Sequence, residues 1–346
     1  MKRIFVTVIV LSMIGLVLLA AGRQKEGEKP AEKEVIYYMA PLVWDEFQAG
    51  SKLMVERFGM EQGYEIKSLN AQNNATNQIN QMDDIIPLQP VAIILNAVDS
   101  STIVGSVEKA RDEGIPVLVY DRFITETTID FHSVVGTIKM GEISAYECVR
   151  ILEEKHGTAK GVVLEIMGDV GDMYTVLIDQ GFRNVIGTYP NIKTIIKDTP
   201  QWEPTVAARV ADDQLTARDD IDIIIIHSDA RGTAIVPVLE SHGYSKGDVI
   251  LMGTDGSPTA LDLIRDGWMQ LTIAVPMVQQ AWALFEFMEE VIEGKEIKPG
   301  SYDIKGIQSE LINEEWGPTL YLPGEILTKE NVDNPDLWGN LEVPEE

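Results

Sequence analysis

The stretch Gly114-Ile-Pro-Val-Leu-Val-Tyr-Asp-Arg122 decides the fold class of this chain. A turn signal leads into a short apolar run, which ends at an acidic and a basic residue. Continuous apolar runs of this length are typical of strands that are buried on both faces of a parallel sheet. Ligands bind beyond the carboxyl ends of such strands, so Asp121 and Arg122 are candidate binding residues.

Runs of the same kind recur along the chain, and segments with helical spacing of apolar residues separate them. This alternation predicts an α/β protein whose sheets are parallel and covered by helices on both faces. About five strand–helix units lie on each side of residue 136, which is more than one sheet holds comfortably. We therefore predict two doubly wound lobes, with a crossing at residues 133–138. The other buried runs are residues 35–39, 91–95, 161–167, 221–226 and 249–252.

The N-terminus has the pattern of a secretory signal. Lys2 and Arg3 precede an apolar run over residues 4–21, and Gly22 ends a cleavage-like stretch of small residues. We predict a signal peptide over 1–22 and a disordered tether over 23–34, and hence a periplasmic or otherwise extracytoplasmic protein. The alternative is an uncleaved signal that holds the protein at the membrane. Position 23 is Arg23 rather than cysteine, so it offers no thiol for lipidation.

The composition argues against several classes of function. A net charge of -27 repels phosphate backbones, so we expect no nucleic-acid partner. The single cysteine, Cys148, cannot form an internal disulfide and is interpreted as a buried apolar residue. The four histidines lack metal-ligand spacing, and no phosphate-binding loop or nucleophile elbow is found. We therefore expect no cofactor, no metal and no catalysis.

Polar residues follow the predicted strands in both halves of the chain, which predicts a cleft between the lobes. Carboxylates accept hydrogen bonds from sugar hydroxyls, guanidinium groups donate to them and amides do both, while aromatic faces stack on sugar rings. Each residue also has a structural interpretation, as a turn or cap residue, a surface ion pair or core packing. The candidate ligand-binding residues are Trp44, Asn96, Asp121, Arg122, Trp202, Ser228 and Asp255.

Four short motifs and Trp202 carry a resemblance to a known family over nearly all of residues 35–310. The motifs are Ile94-Leu-Asn-Ala-Val-Asp-Ser100, Gly114 to Arg122, Gly181-Phe182 and Met252-Gly-Thr-Asp-Gly-Ser-Pro258. In this order and spacing they resemble the ribose/galactose/xylose-type periplasmic binding proteins of ABC sugar importers. The resemblance implies a type I periplasmic binding fold with a three-segment hinge.

The resemblance also implies roles for the candidate residues. Asn96, Asp121, Arg122 and Asp255 would bind sugar hydroxyls, and Trp44 and Trp202 would sandwich the ring. Ser228 stands where ribose-type relatives carry Asn. Two positions depart from the family pattern, because Ile178 and Val275 replace a sugar-binding Arg and Gln. An apolar side chain facing a hydroxyl is unfavourable, so we expect a ligand with fewer hydroxyls than ribose, or in another orientation.

The resemblance divides the chain into two discontinuous lobes. The N-terminal lobe would comprise 35–135 plus 276–304, the C-terminal lobe 136–275 plus 305–325, and a tail 326–346. We expect a monomer that closes on a small neutral ligand, such as a sugar, and delivers it to a membrane permease. Two alternatives remain: a ligand-sensing subunit for a chemoreceptor or kinase, and a glycoside hydrolase using Asp121 and Asp255. Arg122 argues against the hydrolase because it would lower the pKa of an adjacent acid.

Overall fold

Two β-sheets and the helices packed on them form the protein in the computed structural model, which describes residues 34–341. The strands are β1 (Val35–Ala40), β2 (Glu65–Asn70), β3 (Ala92–Leu95), β4 (Val117–Tyr120), β5 (Phe131–Val135), β6 (Gly161–Ile166), β7 (Ile192–Lys197), β8 (Ile223–Ile226), β9 (Ile250–Asp255), β10 (Met269–Ala274), β11 (Gly300–Ile304), β12 (Ile307–Glu314), β13 (Gly317–Leu322) and β14 (Glu325–Leu327). The helices are α1 (Glu46–Glu61), α2 (Ala75–Ile85), α3 (Val104–Asp112), α4 (Thr137–His156), α5 (Met173–Ile186), α6 (Pro204–Ala217), α7 (Gly232–Ser241), α8 (Pro258–Asp266), α9 (Met277–Glu286) and α10 (Met288–Ile292).

The two sheets define two lobes, as the sequence predicts. The first lobe has the strand order β11-β12-β13-β5-β4-β3-β1-β2, and the second has β14-β10-β9-β8-β6-β7. The pairs among β1 to β5 and among β6 to β10 are parallel. Their central strands are continuously apolar and buried, as in β8, where all four residues are isoleucine. Burial on both faces therefore follows from helices that cover each sheet.

Within residues 34–341 the chain crosses between the sheets three times. The crossings lie between β5 and α4, between β10 and α9, and between β13 and β14. The first and third run side by side, since the Gly136 amide donates to the Leu322 carbonyl over 2.9 Å. These three segments form the hinge, and they bring the carboxyl ends of the parallel strands of both sheets to a common cleft.

The C-terminal strands differ from the sequence-based division, which placed residues 305–325 in the second lobe. Strand β13 pairs in parallel with β5, and β12 pairs with β13, so both belong to the first sheet. Only β14 joins the second sheet, antiparallel to β10. The side chains of β12 alternate between buried and exposed positions, and such a pattern gives strand type but not the identity of the partner strand.

Several predictions fall on residues that the structure does not describe. The predicted signal peptide over 1–22 and nearly all of the tether over 23–34 lie outside 34–341, as do residues 342–346 of the tail. Within the described part of the chain, no helix combines the length and apolar character needed to cross a membrane. The position of Cys148 is described, and this side chain is fully buried, with its Sγ 3.7 Å from Met252 Sδ.

Helices α4 and α5 approach each other closely through two glycines. A Cβ on Gly141 would lie 2.0 Å from the Ile178 carbonyl oxygen, and one on Gly181 would lie 2.0 Å from that of Ile138. Both obstacles are backbone atoms, which cannot rotate away. The two glycines thus fix the spacing of the helices that begin at the cleft.

The substitution Gly141→Ala should lower the free energy of unfolding by roughly 1–3 kcal/mol, because the added methyl group overpacks a backbone contact. Urea denaturation measures this. Gly105→Ala on α3 is the matched control, since a Cβ there meets nothing within 4 Å. An equal loss in both variants would show that the helix contact is not the cause.

Candidate functional site

A small polar cavity lies where the strand ends of the two lobes meet. Its volume is about 30 Å³. Both lobes contribute carboxylates and aromatic rings to its wall, and the second lobe adds a hydroxyl and an imidazole. The lining residues are Asp45, Phe47, Gln48, Asp121, Arg122, Asp172, Tyr174, Trp202, His227, Ser228 and Asp255.

In the first lobe, Asp121 directly follows β4 and has a φ of 67°. Left-handed backbone at a non-glycine residue is strained and is concentrated at functional sites. Its Oδ2 accepts from Gln48 Nε2 over 3.2 Å and from Asn96 Nδ2 over 3.3 Å. Asn96 Nδ2 also donates to Gln48 Oε1 over 2.9 Å. These amides hold the carboxylate in one orientation.

Arg122 forms an ion pair across the cleft. Its Nε lies 2.7 Å from Oδ2 of Asp172, which precedes α5 in the second lobe, and the two side chains are 5% and 1% exposed. Arg122 Nη1 also donates to the Ala97 carbonyl over 3.0 Å. Asp172 accepts from the Tyr174 amide over 2.9 Å and so caps α5. The pair is therefore anchored in both lobes.

In the second lobe, Asp255 ends β9 with a φ of 121°, so it repeats the strained strand end of Asp121. It accepts from the Tyr174 hydroxyl over 3.2 Å and from the Asp229 amide over 3.3 Å. Beneath it, the fully buried Asp229 carboxylate accepts from the amides of Gly256 and Ser257 over 2.7 and 3.0 Å. Asp229 thus shapes the loop that presents Asp255.

Arg231 forms a second ion pair between the lobes. Here the arginine comes from the second lobe, whereas in the first pair it comes from the first lobe. It follows β8, is 2% exposed, and its Nη1 lies 3.7 Å from Oδ2 of Asp45 in the first lobe. The same atom donates to Ser228 Oγ over 2.8 Å. Its guanidinium lies over the Trp202 ring at 5.1 Å and donates to the Trp202 carbonyl. Each lobe therefore gives one arginine to a carboxylate of the other.

Comparison with known proteins gives the family. Residues 36–296 match the model of the periplasmic binding protein domain. The chain belongs to the periplasmic binding protein domain family. It is 28% identical over 243 residues to the D-apiose import binding protein of Actinobacillus succinogenes, covering 70% of this chain and 74% of that protein. It is 25% identical over 253 residues to the ribose import binding protein of Bacillus subtilis, covering 73% and 79%.

Solved structures share the fold of this periplasmic binding protein. An ABC transporter solute binding protein from Bacillus halodurans with bound myo-inositol superposes with a TM-score of 0.75 at 20% identity, covering 89% of this chain and 99% of that one. A carbohydrate transporter solute binding protein from Agrobacterium radiobacter in complex with D-arabinose gives 0.77 at 15% identity, covering 88% and 97%. These matches confirm the two-lobe type I fold that the sequence predicts.

Burial changes the protonation of the carboxylates in this periplasmic binding protein. It raises the pKa of Asp121 to about 6, with Arg122 opposing the shift and Asp172 adding to it. Burial likewise raises the pKa of Asp229 to about 7, and that of Asp255 well above its ordinary range, with the charge of Asp229 contributing. Carboxyl groups that hold a proton near neutral pH can donate as well as accept hydrogen bonds.

The structure brings most of the predicted ligand-binding residues together. Asp121, Arg122, Trp202, Ser228 and Asp255 line the cavity, and their contact with ligand stays a prediction.

Two candidates, Asn96 and Trp44, do not line the cavity. Asn96 is fully buried behind Asp121 and orients that carboxylate.

The two tryptophans occupy different positions. Trp202 is 6% exposed and lines the cavity, and Gly168 admits its ring, since a Cβ there would lie 2.0 Å from it. Trp44 is 53% exposed and does not line the cavity in this conformation. In the sequence, Trp44 comes just before Asp45, the residue that caps α1. Phe47, on the first turn of this helix, lines the cavity instead. The role of Trp44 in stacking stays a prediction.

Ile178 and Val275 are both buried and do not line the cavity in this conformation. The polar partners in the second lobe are instead Asp172, Tyr174 and Arg231, none of which the sequence pattern singled out. A signal for Asp172 exists, because it precedes a predicted helix as a potential cap. Arg231 lies three residues beyond Ser228, too far along the chain for a rule based on strand ends.

The unfolding free energy should fall as the pH rises through the range in which Asp121 ionises. Its pKa is 3.8 ordinarily and about 6 in the fold, so the folded state holds the proton more tightly and loses this advantage between about pH 4 and 6. Relative to Asp121→Asn, which has no proton to lose, the wild type should lose roughly 2–3 kcal/mol between pH 4 and 7. Urea denaturation across this range measures the difference; a constant difference would contradict the raised pKa.

Proposed function

We propose that this periplasmic binding protein is the exported solute-binding subunit of an ABC importer and performs no catalysis. It captures a small neutral ligand, a sugar or related polyol, by closing its lobes and then delivers it to a membrane permease as a monomer. The observation that carries the proposal is the reciprocal pairing across one cavity, Arg122 with Asp172 and Arg231 with Asp45. The identification of two relatives as import binding proteins supports transport over sensing.

The described conformation is closed, which supports capture by hinge motion. Glu46 at the start of α1 accepts from the Thr259 hydroxyl of the second lobe over 2.6 Å. Asn73 Nδ2 donates to the Gln201 carbonyl across the same gap over 3.0 Å. The remaining cavity of about 30 Å³ has room for little more than water. A sugar therefore enters only when the lobes separate, and it rebinds both lobes as they close.

The chemistry of the wall suits a polyol. Asp121 and Asp255 stand at equivalent strand ends of the two lobes and offer carboxyl oxygens from opposite sides. Arg122 offers a rigid donor fork, and Trp202 and Phe47 offer apolar surface. Arg122 and Arg231 are already paired with Asp172 and Asp45, so the charge of each guanidinium group is compensated, which disfavours an anionic ligand. A neutral ligand with several hydroxyls satisfies this set best, because a missing hydroxyl leaves a buried polar group unpaired.

The first experiment identifies the ligand. A thermal-shift screen of pentoses, hexoses, polyols and nucleosides should find at least one compound that raises the unfolding temperature, because a ligand of the closed form stabilises by mass action. The same mixtures should contain no hydrolysed glycoside. Turnover that disappears in Asp121→Asn would establish a hydrolase and reject the proposal.

The substitution Arg122→Ala should weaken binding of the identified ligand by roughly 2–5 kcal/mol, because it strips one partner from a buried polar cluster. Isothermal calorimetry measures the affinity. The matched control is Arg111→Ala, which breaks a 3.0 Å ion pair with Asp130 inside the first lobe and away from the cavity. Similar affinities for Arg122→Ala and the control would place the ligand elsewhere.

A further inference from the structure

A second, larger cavity lies between the lobes beside the Arg122–Asp172 ion pair. Its volume is about 410 Å³, which is in the range of small-molecule sites. Phe123 and Met173, the chain neighbours of the paired residues, line it. The ion pair therefore lies next to both cavities, one polar and one apolar. The second cavity plays no part in the proposed polyol site.

The wall of this cavity is mostly apolar and comes from both lobes. Ile312 and Trp316 contribute from the end of the first sheet, and Leu177 contributes from α5 of the second lobe. Ile312 is 40% exposed, although it is a large apolar side chain. An apolar compartment of this size accommodates one ring.

One end of the cavity carries unpaired hydrogen-bond donors. Gly136 and the first turn of α4, residues 137–139, line it, and no side chain caps this helix among the described residues. The first amides of a helix have no partner within the helix. Thr137 is 1% exposed, and its Oγ1 has no hydrogen-bond partner within residues 34–341. A buried hydroxyl beside uncapped amides favours an occupant that brings an acceptor oxygen.

The charges at the rim exclude an anionic occupant. Lys139 is already paired with Glu142 over 3.0 Å, and Glu314 accepts from the Tyr321 hydroxyl over 2.8 Å. Two carboxylates therefore face one neutralised ammonium, on a protein whose net charge is -27. The acceptor oxygen must be carried by a neutral group.

We propose that this cavity is a second binding site, which takes a small neutral molecule with an apolar ring and one hydrogen-bond-accepting oxygen. The ring lies against Leu177 and Trp316, and the oxygen accepts from the Thr137 hydroxyl and the first turn of α4. Because both lobes line the site, an occupant contacts both and favours the closed arrangement. The second ligand thereby acts on the same hinge motion as the first.

Fluorine NMR with 4-fluoroacetophenone as the probe and the full chain as the protein tests the site. The probe resonance should broaden or shift on binding. At equal concentration, 4-fluorobenzoate should bind about tenfold more weakly because of the rim carboxylates, and 4-fluoroethylbenzene about tenfold more weakly because it lacks the acceptor. Thr137→Val, which replaces the hydroxyl with a methyl group, should likewise weaken binding of 4-fluoroacetophenone about tenfold.

Two substitutions that fill the cavity locate the probe. Leu177→Trp should abolish binding, and Ile312→Trp, which starts from a half-exposed side chain and is safer for folding, should do the same. Leu88→Trp is the matched control, since Leu88 is 63% exposed and lies outside the cavity, and it should bind the probe like the wild type. Absence of binding, binding that survives in both filled variants, or benzoate binding as tightly as the ketone would each overturn the proposal.

Discussion

The buried ion pair between Arg122 and Asp172 is the interaction on which the arrangement of the cleft depends. Its two charges come from different lobes and are almost completely removed from water. Removing one partner of such a pair leaves an uncompensated buried charge, so the closed geometry requires both. A second pair joins Arg231 to Asp45 over a longer distance of 3.7 Å. In this pair the second lobe supplies the arginine and the first lobe the carboxylate.

The two lobes present their central carboxylates in the same way, which follows from their common construction. Asp121 follows β4 and Asp255 ends β9, and both residues have positive φ values. The strain is supported differently in each lobe. Amides of Gln48 and Asn96 orient Asp121, whereas the buried carboxylate of Asp229 holds the loop around Asp255. Both strand ends are thus held in place by contacts within their own lobes.

The sequence predicts the parts of the fold whose burial is strongest. The apolar runs of β3, β4, β8 and β9 identify buried parallel strands, and their polar ends locate the cleft. The pattern is weaker in the C-terminal strands, where buried and exposed residues alternate in β12. Such alternation predicts a strand but does not choose between two available sheets. The position of β12 and β13 in the first lobe was therefore decided by the pairing of β13 with β5 and of β12 with β13.

The sequence by itself determined the fold class, the family motifs and four of the polar residues that line the cavity, Asp121, Arg122, Ser228 and Asp255. Each of these follows from local periodicity or from adjacency to a strand end. Only the tertiary structure decided which charges pair. Arg231 reaches Asp45, and Arg122 reaches Asp172, across long separations in the chain. It also turned Trp44 outward and brought Phe47 to the cavity. Contacts between the lobes depend on how the two sheets are placed against each other. No local sequence pattern encodes the distance between residues on different lobes.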